Sequence, residues 1–87
     1  MTPQLYPGDP KPDAALLKLM RQQRTLLIDA ILLMIAGGAP TNAALIEATR
    51  ISVQQRVMTL IREWGSDRAW AILAATEAAL MLEEAAP

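Results

Sequence analysis

Gln54, Gln55, Thr59 and Arg62 recur at helical spacing within nine residues. Gln pairs bidentately with adenine and Arg with guanine, so a helix face carrying this set holds the donors and acceptors that read base edges in the DNA major groove. Lys18, Arg21, Arg24 and Arg50 supply cations for phosphates, which set orientation without reading sequence. The same spacing also fits a helical hairpin with an ordinary solvated face, because an amphipathic helix turns Gln and Arg outward.

Other chemistry is scarce. The 87 residues include no Cys, hence no disulfide, no thiol nucleophile and none of the usual zinc ligand sets. They include no His, which excludes Ser–His and Cys–His catalysis. Glu83 and Glu84 are adjacent and point about 100° apart on a helix, too divergent to share a site. Gly37-Gly38 lacks the Lys-Ser/Thr that completes a phosphate-binding loop and reads instead as a helix stop. No catalytic residue, metal ligand or cofactor is expected, and the chain is expected not to be an enzyme. The only aromatics are Tyr6, Trp64 and Trp70, too few for a base-stacking single-strand binder.

The formal charge of −1 conceals a bipolar chain. Residues 18–62 hold Lys18, Arg21, Arg24, Arg50, Arg56 and Arg62 against Asp29 and Glu47. Residues 63–87 hold Glu63, Asp67, Glu77, Glu83 and Glu84 against Arg68 alone. A basic middle beside an acidic end suggests a nucleic-acid contact or head-to-tail self-association.

An Ala- and Leu-rich composition without Phe favours helices, and the expected fold is all-α, with about four helices in one domain over 13–86. Residues 1–12 carry four prolines and read as a flexible, extended arm. Prolines before Asp13 and Ala-Ala-Leu-Leu after it start a long helix over about 13–36. Its second half, TLLIDAILLMIA, is apolar all round except for Thr25 and Asp29. Twelve such residues are too few to span a bilayer. A helix apolar on every face is buried on every face, so this half calls for a partner subunit. Asp29 there must be paired, protonated or at an edge.

Gly37-Gly38-Ala39-Pro40 ends that helix, and Thr41 or Asn42 can cap a short second one. The β-branched run Thr49, Ile51, Val53 around Ser52, with Ser52 and Gln55 spaced as a capping box, predicts a break and a third helix from about 53. Val53, Val57, Leu60 and Trp64 form its apolar face, and Gly65 ends it. Ser66 caps an acidic last helix over about 67–84, with Trp70, Leu73, Ala74, Glu77 and Leu80-Met81 as its stripe. A short helix, a turn and a longer polar-faced helix over about 41–65 match a helix-turn-helix unit.

The segment I-D-A-I-L-L-M-I-A-G-G-A-P-T-N-A-A-L-I-E-A from Ile28, followed by S-V-Q-Q-R-V-M-T-L-I-R-E-W from Ser52, resembles the N-terminal DNA-binding region of the KfrA family of plasmid-borne regulators. Gly37 to Thr41 match that family's Gly-x-x-Pro-Thr turn. Leu45 matches the apolar position after it, and Val57, Ile61, Arg62, Glu63 and Trp64 match the end of its recognition helix. Where the family carries glycines before its serine, this chain has Ala48-Thr49-Arg50-Ile51. The family's long coiled coil has no counterpart among these residues, so coiled-coil assembly is not carried over. The resemblance implies DNA contact by Ser52, Gln54, Gln55, Arg56 and Thr59, with Ser52 and Arg56 joining the phosphate set. The reading that follows is a cytoplasmic, homodimeric, sequence-specific binder of double-stranded DNA: a small transcription regulator of plasmid or phage type. The alternative is a helical protein-interaction module, a secretion co-chaperone or small inhibitor, acting through the apolar long helix.

Overall fold

The computed structural model describes residues 10–85; the arm expected over 1–12 lies almost wholly outside the described residues. Three helices make up the fold: α1 (Ala14–Ile35), α2 (Ala43–Trp64) and α3 (Ser66–Ala85). Among the described residues the fold is all-helical, with three helices where four were expected.

Each boundary has a local cause. Asp13 is in extended conformation, and its carboxylate accepts from the Leu16 N–H at 2.9 Å, capping α1. At the other end, Gly38 N–H donates to Leu33 O at 2.9 Å and Gly37 N–H to Met34 O at 3.0 Å. This is a Schellman closure, with Gly37 at φ +90° in the conformation that glycine adopts without strain. Asn42 occupies the position before α2 but makes no side-chain cap. Its amide instead donates across to Leu26 O at 3.0 Å, tying the start of α2 to α1. Gly65, at φ +82°, alone separates α2 from α3, and its carbonyl accepts from Ala69. Ser66 is thus the first residue of α3, and Gly65 stands where a cap would.

The break expected at 49–53 is absent, and with it the helix-turn-helix over 41–65. Thr49 Oγ1 donates to Leu45 O at 2.8 Å and Ser52 Oγ to Ala48 O at 3.1 Å. Both hydroxyls are satisfied four residues back within one helix, so Ser52 has no need to cap a new one. Val53 packs against the core, and that burial outweighs the few tenths of a kcal/mol by which β-branched residues disfavour a helix.

The core gathers Leu16, Leu60, Ala69 and Ile72, with Met20, Val53, Val57, Ile61 and Leu73 packed around them. Trp64, expected in the apolar face of α2, is exposed. The stripe expected on α3 is displaced. Ala69, Ile72 and Thr76 point inward, whereas Trp70, Ala74, Glu77 and Met81 are exposed. Alanine on nearly every side of α3 leaves its phase poorly marked, and the small Ala69 lets the helix approach the core closely.

Register follows from the cross-links. α2 runs antiparallel to α1, with Arg56 beside Asp13 and Asn42 beside Leu26. α3 runs parallel to α1, with Thr76 beside Asp13 and Glu83 beside Arg21. Both neighbours therefore stop near residues 24–26 of α1. The remaining residues, 27–35, overhang by about 13 Å at 1.5 Å per residue. Among the described residues no helix is long and apolar enough to cross a membrane.

Candidate functional site

Two exposed regions stand out: the outer face of α2 and the overhanging end of α1. On α2, the helical repeat turns Ile51, Gln54, Gln55, Met58, Thr59 and Arg62 to one side, around a shallow cavity of about 590 Å³. Gln54, Gln55, Thr59 and Arg62 are thus brought together. Their polar atoms partly serve each other. Arg50 Nη1 donates to Gln54 Oε1 at 3.3 Å, Arg62 Nη2 to Thr59 Oγ1 at 3.3 Å, and the Thr59 hydroxyl to Gln55 O at 3.0 Å.

The expected phosphate set is dispersed, and most of it faces carboxylates. Arg21 makes a two-pronged contact with Glu83, at 2.8 and 2.5 Å. Arg24 Nη1 lies 2.6 Å from Glu84 Oε2, an ion pair without hydrogen-bond alignment. Arg50 grips Glu47 one turn earlier on α2, at 2.9 and 2.6 Å. Arg56 reaches Asp13, at 2.8 and 2.7 Å. Hydrogen bonding to these arginines holds the Glu83, Glu47 and Asp13 carboxyls below their ordinary values, although desolvation opposes it. The same hydrogen bonds raise Arg21, Arg50 and Arg56. Ser52 turns back onto its own helix. Lys18 is exposed and makes no ion pair among the described residues.

Asp13, Arg56 and Thr76 form the fold's central polar knot. Thr76 is fully buried; its hydroxyl donates to Ile72 O at 2.7 Å and accepts from the Asp13 N–H at 3.0 Å. Asp13 thereby caps α1 while binding α2 through Arg56 and α3 through Thr76. Sequence reasoning found only the helix start at Asp13. Pairing across 43 and 63 residues leaves no local mark.

On the overhang, Leu27, Ile28, Ile31, Leu32, Leu33, Met34 and Ile35 are each between 39% and 76% exposed. Of residues 27–35, only Ala30 is buried. Asp29 is exposed and unpaired among the described residues, so the carboxyl within the apolar run faces solvent. At the base of the overhang, Arg21, Gln22, Thr25 and Leu26 of α1 and Leu45 and Thr49 of α2 line a groove of about 460 Å³. At the opposite end, a smaller cleft of about 240 Å³ lies among Asp13, Leu60, Trp64 and Arg68. Among the described residues no cluster of three or more acidic, His or Cys side chains is placed to hold a metal ion.

Comparisons with protein families, with curated proteins and with solved structures find no match for this chain.

Proposed function

We propose that the chain is a helical protein-interaction module that buries the free end of α1 in a protein partner. The overhang carries this reading: seven large apolar side chains on a helix that neither neighbour covers. Their exposures amount to roughly 700 Å² of near-contiguous apolar surface, above the roughly 300–600 Å² of the largest patch on a typical monomer. Burying such surface is the main driving force of association. The purified chain should associate or, where monomeric, bind a hydrophobic dye. Leu32→Glu should reduce whichever is seen while leaving helicity intact. A dye-silent monomer indistinguishable from Leu32→Glu refutes the reading.

A second reading, the small DNA-binding regulator, is favoured by one observation: Gln54, Gln55, Thr59 and Arg62 share an exposed face. The resemblance to KfrA-type regulators belongs with it. Against it stands the pairing of Arg21, Arg24, Arg50 and Arg56 with carboxylates, which removes most of the positive charge phosphates need. A mobility shift on mixed duplex DNA separates the two readings. A shift at about 50 mM salt that fades by about 200 mM supports DNA contact, and no shift at either removes it.

A further inference from the structure

The free end of α1 has a second property besides its size. Arg21, Thr25, Ile28, Leu32 and Ile35 follow one another at steps of four, three, four and three residues. That is the heptad spacing that keeps one seam of a helix facing a partner helix. The first two line the groove between α1 and α2, and the last three are exposed on the overhang. One face of α1 thus presents a groove wall and, farther along, a ridge without a seat.

We infer that the occupant of this groove is the overhang of a second copy, seated reciprocally with the two α1 helices antiparallel. The inference rests on the interaction-module reading and names its partner. Two observations carry it. The face is self-complementary: with a two-fold axis near Ile28, Leu32 of one copy lies over Thr25 of the other, and Ile35 over Arg21. A two-fold contact requires that kind of reciprocity. The seam is also the most exposed part of the tip: Ile28, Leu32 and Ile35 are 45%, 58% and 76% exposed, and seating them in the groove removes apolar surface on both copies. Leu45, exposed on the far wall of the groove, gains cover from the incoming ridge.

The chain lacks cysteine, so a single introduced cysteine can form a disulfide only between copies. Ile28→Cys, at the axis, should give a covalent dimer on mild oxidation, and Lys11→Cys, at the far end, should not. Sedimentation at about 10 µM, where a micromolar interface is well populated, should give twice the 9.5 kDa chain mass. Leu32→Glu should return the monomer with its helicity unchanged. A dimer that survives Leu32→Glu, or that cross-links through Lys11→Cys and not Ile28→Cys, overturns the arrangement. A dye-binding monomer overturns self-pairing while leaving the interaction-module reading standing; a monomer without dye binding overturns both.

Discussion

Asp13→Ala tests whether one carboxylate holds the three helices in register. Two losses add. The cap to Leu16 contributes about 1 kcal/mol, the usual cost of replacing Asp by Ala at a helix N-cap. The two-pronged contact with Arg56 is charge-assisted and 15% exposed on the aspartate side, 30% on the arginine side. Water reaches Arg56, so its loss costs about 1–2 kcal/mol, below the 3–5 of a fully buried pair. Asp13→Ala should therefore cost about 2–3 kcal/mol, or roughly 10–20 °C of melting temperature for a domain of this size. Asp13→Asn keeps the cap, because Asn caps as well as Asp, and should cost only about 1 kcal/mol. With Arg56→Met, the double-mutant cycle should show a coupling of about 1 kcal/mol.

The pH dependence follows from the same contact. Arg56, aided by the Leu16 N–H, holds the Asp13 carboxyl below its ordinary 3.8 in the folded chain. The stabilisation is therefore complete above the unfolded value and disappears as pH falls through the folded one, below 3.8. The wild-type and Asp13→Asn curves should stay parallel near neutrality and converge in acid. Denaturant titration followed by circular dichroism, at one fixed protein concentration, measures all of this. Equal costs for the Asn and Ala variants, or strict additivity with Arg56→Met, would refute the reasoning.

Thr76→Val conserves shape but leaves the Asp13 N–H without its acceptor, so denaturant titration should show a loss of about 1–2 kcal/mol; an unchanged midpoint would mean that water serves that N–H. Gly65→Ala meets no atom within 4 Å, so its cost of about 1–3 kcal/mol is backbone strain alone at φ +82°. Gly38→Ala, without positive φ and in ordinary contact with Leu33 O at 3.4 Å, should be near neutral, and thermal melts of the two variants compare them directly.

Much of the fold is written locally. Proline before Asp13 and the glycines at 37 and 65 mark the helix ends that the structure shows, because caps and positive-φ glycines act within a turn of chain. Two of the departures have local causes too. Ser52 and Gln55 match a capping box only where the backbone N–H groups are free. In α2 they are not, and the hydroxyl bonds to Ala48 O instead. Of the stripe expected on α3, Trp70, Leu73, Ala74, Glu77 and Leu80-Met81, only Leu73 packs against the core, which otherwise takes Ala69, Ile72 and the hydroxyl of Thr76.

The candidate sites divide the same way. The grouping of Gln54, Gln55, Thr59 and Arg62 needs only a helical repeat, so it was legible from spacing. The surplus of apolar residues after Thr25 was legible as well, because no small core could cover a helix apolar all round. Whether the basic residues of the middle segment are available was not legible. Arg21 and Arg24 meet Glu83 and Glu84 only because α3 lies parallel to α1, and Arg56 meets Asp13 only because α2 runs antiparallel. Composition and periodicity thus set the helices, their ends and an unburied apolar run. Packing set which charges cancel and where that run emerges, because both depend on registers between residues far apart in the chain.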